Sequence, residues 1–249
     1  MRFTETETRG GVATLTLARG KVNALNGEVV SQLRAALEAL QADASMRAVV
    51  LTGRGPFFSF GFDVPEFLSF SKAEFTAWLE AFTGLYTDLF VYPKPLVAAL
   101  NGHAVAGGCM LALTADARVM SSGNAKISLN EIGFGSSVLA GSTEMLRFLV
   151  GSANATKVLY SAAMLAAEEA RALGLVEEVA PEDAVVARAR EVAAELGAKV
   201  PAAFANAKAL LRRPVAEEMR KREPESIREF VEIWYSEPTW SNLRDIRIR

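Results

Sequence analysis

The chain reads as an α/β fold in which a layer of strands is covered by helices. Three observations carry that reading: short apolar runs suited to strands buried on both faces occur at 47–52 and 96–100, amphipathic helical stripes separate and follow them, and each run ends at a glycine-rich turn. Strands and helices that alternate in this way place the sheet inside and the helices outside.

Thr4–Thr8 and Val12–Leu17, joined by Arg9-Gly10-Gly11, have the pattern of a hairpin. From Val29 the period becomes helical, with Val29, Val30, Leu33, Leu37 and Leu40 on one stripe and Asn26 placed to cap it. Arg47–Thr52 contains the buried-strand run Ala48-Val49-Val50-Leu51 and ends in the loop Gly53-Arg54-Gly55-Pro56. Ser71 and Glu74 have capping-box spacing ahead of a helix carrying Trp78, Phe82, Leu85 and Leu89, which Pro93 and Pro95 stop. Leu96–Leu100 is a second buried strand, followed by a glycine turn and an almost wholly apolar segment, Gly107–Ala115.

After an alternating stretch at Ala125–Leu129, the chain beyond residue 140 is mainly helical. Ala166–Leu173 reads as a helix closed by Gly174, and Leu175–Val179 as a last strand before Pro181. From Ala184 onward separate helices are expected, divided at Pro201, Pro214, Pro224 and Pro238. The tail's aromatic residues, Phe230, Trp234, Tyr235 and Trp240 among them, predict packing on its own core or on a second subunit. Its basic residues, including Arg212, Arg213, Arg220 and Arg222, read as a solvated face or a contact for phosphate. A division near residue 195 separates a core, residues 1–195, from a helical region, residues 196–249.

Composition excludes several functions. With 249 residues, 51% of them hydrophobic and 22% charged, the chain can bury a sizeable core. Lys and Arg number 27 against 29 Asp and Glu, so the basic surplus that nucleic-acid binding draws on is missing. The one cysteine, Cys109, cannot form an internal disulfide, and the one histidine, His103, cannot build a multi-histidine metal site. The start of the chain alternates and lacks the apolar run of a secretory signal, so a cytoplasmic location is expected. The span from Leu96 to Ala115 is too interrupted, by Asn101, Gly102, His103, Gly107 and Gly108, to cross a membrane.

Two glycine turns follow the buried strands: Pro56-Phe57-Phe58-Ser59-Phe60-Gly61-Phe62-Asp63 and Asn101-Gly102-His103-Ala104-Val105-Ala106-Gly107-Gly108. Loops at the carboxyl ends of parallel strands line ligand crevices. Gly107 stands where a helix would begin, so its N–H is a free donor backed by the helix dipole. If the Gly61-Phe62 turn lies beside it, two backbone N–H groups can meet one developing oxyanion; otherwise both are simply tight turns. Glu131, in the apolar company of Ile132-Gly133-Phe134-Gly135, is either a general base with a burial-raised pKa or a solvated loop or capping glutamate. Gly133-Phe134-Gly135-Ser136 breaks the dinucleotide fingerprint, His103 on its turn reads as structural, and Cys109 as a small core residue.

Together these segments resemble the crotonase superfamily, the enoyl-CoA hydratase/isomerase family. Lys21-Val22-Asn23-Ala24-Leu25-Asn26 is similar to its N-terminal signature, Phe58-Ser59-Phe60-Gly61-Phe62-Asp63 to its first oxyanion loop, and Lys94–Gly102 with Ala106-Gly107-Gly108 to its second. Ala167–Val176 resembles its late helix-to-strand turn. The resemblance implies a spiral of ββα units with a C-terminal helical trimerisation region. It also implies an acyl-CoA thioester substrate, and no metal or redox cofactor, coenzyme A arriving as part of the substrate. It implies a homotrimer or dimer of trimers, with no nucleic-acid or membrane partner.

Carried over residue by residue, the oxyanion donors are the N–H groups of Phe62 and Gly107, and the catalytic acid–base is Glu131. Phe60, Gly61, Phe62, Asp63, Val64, Gly107 and Asn130 line the substrate path, and Phe67, Phe70, Trp78 and Phe134 are candidates for the far wall of the acyl pocket. Hydratases of the family place a first glutamate three residues after the oxyanion glycine, where this chain has Met110. Their Pro-Gly-x-Gly-Gly stretch is replaced here by Gly135-Ser136-Ser137-Val138-Leu139. Ala106–Thr114, Ile127–Glu131 and Phe230–Leu243 resemble instead the Δ3,Δ2-enoyl-CoA isomerase branch, in which one glutamate moves the proton during fatty acid β-oxidation. A hydratase or another crotonase reaction such as thioester hydrolysis, and a non-catalytic acyl-CoA-binding protein, are the alternatives.

Overall fold

A computed structural model describes residues 3–246. The hairpin forms as expected: β1 (Thr4–Arg9) and β2 (Val12–Leu17) are antiparallel and turn through Gly10 and Gly11. α1 (Gly27–Ala42) starts where the Asn26 side chain accepts from the Val29 N–H at 3.1 Å, and it buries the expected stripe. β3 (Ala48–Gly53) is buried along its whole length. β4 (Phe57–Ser59) and the single-turn α2 (Val64–Phe67) lead to α3 (Lys72–Phe90), which opens with the Ser71/Glu74 capping box. β5 (Leu96–Leu100), β6 (His103–Val105) and α4 (Gly107–Leu113) follow, then β7 (Ala117–Ser121) and β8 (Ile127–Ser128). A 3₁₀ turn, Glu131–Phe134, precedes α5 (Ala140–Ser161), which bends at Gly151. α6 (Ala167–Ala172), β9 (Glu178–Ala180), α7 (Val185–Gly197), α8 (Pro201–Trp234) and α9 (Glu237–Asp245) complete the chain.

The strands form two sheets. A six-stranded sheet has the order β1-β2-β3-β5-β7-β9, parallel from β2 onward, and a three-stranded parallel sheet has the order β4-β6-β8. Each turn of the chain therefore adds one strand to the large sheet, one to the small sheet, and then a helix: β3-β4-α2/α3, β5-β6-α4, β7-β8-α5. This is the ββα spiral. Its consequence for function lies in the small sheet, whose parallel register, Ala104 beside Ile127 and Val105 beside Ser128, delivers the loops after β4, β6 and β8 to the same edge. No helix among the described residues is long and apolar enough to cross a membrane.

Three expectations are corrected. The last strand begins at Glu178 rather than Leu175, because the Leu175 N–H closes α6 onto Ala170 O and the Leu175 carbonyl accepts from Arg118 Nε, leaving neither for a ladder. Pro214 and Pro224 do not divide the tail. Both lie on the solvent side of the continuous α8, so the carbonyls they leave unpaired can be hydrated while Ala216, Met219, Ile227 and Phe230 hold the inner face. Finally, Arg212 departs from the solvated face that Arg213, Arg220 and Arg222 do occupy. Arg212 is buried and donates to the carbonyls of Phe90, Thr114 and Ala115, while Arg222 pairs with Glu144.

Arg212 works beside a second buried arginine, Arg118, which donates to the carbonyls of Ala112, Ala115 and Leu175 and pairs with Glu177. Between them they satisfy the carbonyl end of α4, the negative pole of that short helix. Arg212→Met keeps the apolar stem and removes the donors, leaving buried carbonyls and Asp116 underserved. A loss on the order of 3 kcal/mol is expected, measured as a lower urea midpoint with an unchanged m-value.

Candidate active site

The first glycine turn is wound by Ser59, whose hydroxyl donates to Asn23 O at 2.8 Å and accepts from the Gly61 N–H at 3.1 Å. Gly61 has φ +96°, and a Cβ there would lie 2.8 Å from Val105 O and 3.0 Å from Gly107 N. Glycine is therefore required for the two turns to touch, and they do. On either side of Phe62, Gly61 O accepts from Leu25 N–H at 2.8 Å and Asp63 N–H donates to Leu25 O at 3.0 Å. The Phe62 N–H between them meets no acceptor among the described residues.

The second turn is made by Ala106, held at φ +49° and ψ −119°, a backbone region that costs a non-glycine residue about 1–3 kcal/mol. Ala106 N–H donates to Ser128 O and Ala106 O accepts from Met110 N–H, so neighbouring structure holds the strained residue in place. α4 begins immediately after it, leaving the Gly107 N–H as a first-turn donor with no carbonyl to bond. The Phe62 ring fills the space of the missing Gly107 side chain: a Cβ there would be 2.6 Å from that ring. Trp78 and Phe82, with ring centres 4.6 and 5.2 Å away, keep Phe62 from yielding.

Glu131 is the first residue of the 3₁₀ turn. It is 3% exposed, and among the described residues neither carboxylate oxygen has a hydrogen-bond partner. Burial pushes its pKa up from 4.5 to about 8. It lines a cavity of about 210 Å³ together with Phe60, Phe62, Val64, Val105, Ala106, Asn130, Phe134, Phe230, Trp234 and Ile246. Among these described residues Glu131 is the one ionisable side chain. A carboxyl titrating near neutral pH can both accept and return a proton, and the dry wall around it keeps water from competing.

The structure thus brings Phe60, Phe62, Val64, Asn130 and Glu131 together in the cavity wall, with Gly61 and Gly107 shaping the turns behind it. Asp63 faces elsewhere: it caps α2 through the Glu66 N–H and pairs with Arg19 at 2.6 Å. Of the four aromatic residues expected at the far wall, Phe134 is there, while Phe67 and Trp78 stand behind Phe62 and Phe70 packs on Phe67. Their places are taken by Phe230, Trp234 and Ile246. The spacing of the first two on α8 marks one helix face, but nothing local in the sequence aims that face at a site 100 residues earlier.

His103 lies at the opposite end of β6, its ring 5.0 Å from that of Phe57, with a pKa lowered by burial and by Lys126. The Cys109 thiol is buried, and burial and the charge of Glu131 push its pKa up, so it is no nucleophile. Among the described residues no three His, Cys, Asp or Glu side chains gather as metal ligands.

Residues 7–234 match the family described as enoyl-CoA hydratase/isomerase. The mouse mitochondrial enoyl-CoA delta isomerase 1 is 33% identical over 229 residues, covering 91% of this chain and 79% of that protein. The 2,3-dehydroadipyl-CoA hydratase of Escherichia coli is 36% identical over 203 residues, covering 81% and 78%. In structure the chain is similar to human mitochondrial delta3-delta2-enoyl-CoA isomerase, with a TM-score of 0.92 at 29% identity and 98% and 96% of the two chains covered.

The buried carboxyl has a thermodynamic signature. Its folded pKa, about 8, lies above the ordinary 4.5, so the folded state holds an extra proton between those values. The stability that this proton supports is complete below pH 4.5, falls as pH rises through the window and levels off above 8. Glu131→Gln removes the titration. Melting temperatures of the two proteins are expected to converge near pH 5, with the variant the more stable at pH 8 by a few kcal/mol. Parallel pH profiles would contradict the burial effect.

Proposed function

The chain belongs to the enoyl-CoA hydratase/isomerase family, whose members act on acyl-CoA thioesters, and we propose that within it the chain is a Δ3,Δ2-enoyl-CoA isomerase of fatty acid β-oxidation. The observation that carries this reading is that, among the described residues, Glu131 is the one ionisable group in the cavity wall. In the proposed reaction the thioester carbonyl of a 3-enoyl-CoA accepts hydrogen bonds from the Phe62 and Gly107 N–H groups. Glu131, ionised, removes a proton from C2, and the electron pair delocalises over a dienolate whose oxygen bears the charge. The same carboxylic acid then returns the proton at C4, leaving the double bond between C2 and C3. Loss of one oxyanion donor, a side-chain amide, costs about 2.7–4 kcal/mol in a well-studied protease.

Hydration asks for more. A water must be held and activated while a proton reaches C2, a task that two carboxylates share. Met110, at the position where hydratases of the family carry the first, is wholly buried, and its thioether is only a weak acceptor. Asn130 is assigned to the acyl path beside Glu131. The proposed chemistry needs no metal or redox cofactor, and coenzyme A enters and leaves on the substrate. Hydration is the second reading, favoured by the similarity to the E. coli hydratase. A homotrimer or dimer of trimers is part of the proposal, supported by the exposed apolar side chains of Leu210 and Leu211 on α8.

Glu131→Gln is expected to lower kcat/KM on a 3-enoyl-CoA by at least about 100-fold. In the native protein kcat/KM is expected to rise with pH as Glu131 ionises, with its midpoint near pH 8 and a plateau above it. Crotonyl-CoA separates the two readings: a hydratase removes its conjugated enoyl absorbance, whereas an isomerase leaves it and creates that absorbance from the 3-enoyl substrate. Near-full isomerisation by the variant, or rapid hydration by the native protein, would overturn the assignment.

A further inference from the structure

Because the Glu131 side chain makes no hydrogen bond, its position is set by the backbone of the turn that carries it. That turn has no side-chain cap from Asn130. Its carbonyl end is held from α9 instead. The buried Thr239 donates its hydroxyl to Gly135 O, and Asn242 donates Nδ2–H to Phe134 O at 3.0 Å. Gly135 adopts φ +86°, and a Cβ there would lie 3.3 Å from Asn242 Nδ2 and 3.5 Å from Thr239 Oγ1, a tight fit. α9 is itself anchored: Trp240 stacks on Tyr235 at 5.0 Å, and the Tyr235 hydroxyl donates to Phe70 O at 2.7 Å. Ile246, immediately after α9, reaches the cavity wall.

We propose that Thr239 and Asn242 are positioning residues: through the carbonyls of Gly135 and Phe134, α9 sets the turn from which Glu131 reaches the substrate and closes that turn against water. The inference rests on the reading of Glu131 as the proton-transfer group and extends it to residues that touch no substrate. Among the described residues, the groups facing Glu131 are Cys109 from α4, Phe230 and Trp234 from α8 and Ile246 from the end of α9, none of them charged near neutral pH. Its proton affinity is therefore governed by burial, and loosening the turn admits water and lowers it.

Thr239→Val removes the hydroxyl at nearly constant volume, Thr239→Ser keeps it, and Asn242→Ala alters an exposed side chain. On a 3-enoyl-CoA, Thr239→Val is expected to lose about tenfold or more in kcat with KM little changed. The acid limb of its pH profile should move down toward ordinary carboxylate values, and Thr239→Ser should restore both. Asn242→Ala shifts both readouts in the same direction and decides the matter if Thr239→Val does not fold. Native kcat and an unmoved limb in the Val and Ala variants, with Glu131→Gln inactive, would overturn this inference alone. So would a slower Val variant with an unmoved limb and no rescue by Ser. An active Glu131→Gln would remove the premise as well.

Discussion

A carboxyl group enclosed among apolar side chains with no hydrogen-bond partner is a costly thing to fold around, and the rest of this site is arranged to tolerate it. Glu131 escapes the full expense by holding its proton to about pH 8. A carboxyl with its pKa raised to about 8 changes charge within reach of neutral pH. The amino end of α4 is also bare: among the described residues the Gly107 N–H has no carbonyl to serve. Glu131 and Phe62 share one largely apolar cavity wall, and the Gly107 turn lies behind it, pressed against the Phe62 ring.

That arrangement depends on α4 being held at both ends. At its start, strain at Ala106 is absorbed by the Ser128 carbonyl and by the glycine turn pressed against it. At its finish, Arg118 and Arg212 take up the carbonyls of residues 112, 114 and 115 from inside the protein. Two positive charges at the carbonyl end complement the negative pole of the helix. The second of those arginines comes from α8, which also supplies Phe230 and Trp234 to the wall. The C-terminal helices are therefore part of the site in an energetic sense as well as a spatial one.

What the sequence made legible follows from range. The Asn26 cap, the Ser71/Glu74 capping box, the hairpin and the two glycine turns are decided by residues a few positions apart, and all of them formed as read. Glu131 was legible as a candidate, but its burial was not, since that is a property of α8 and α9 closing over it. The errors share this cause. Pro214 and Pro224 look like breaks until the solvent side of the helix is known, and Arg212 looks like surface until the carbonyl end of α4 is placed beside it. Leu175 has the side chain of a strand residue, but its backbone is already spent on α6 and Arg118.

The central claim, one acid group moving one hydrogen across a dry cavity, is tested most directly by following that hydrogen. A 3-enoyl-CoA deuterated at C2 should, in a single turnover in ordinary water, yield 2-enoyl-CoA with part of the label delivered to C4, as read by mass spectrometry and NMR. Complete replacement of the label at C4 by solvent hydrogen would contradict the account, because it would require a second acid or a path for water to reach Glu131 before the proton is returned.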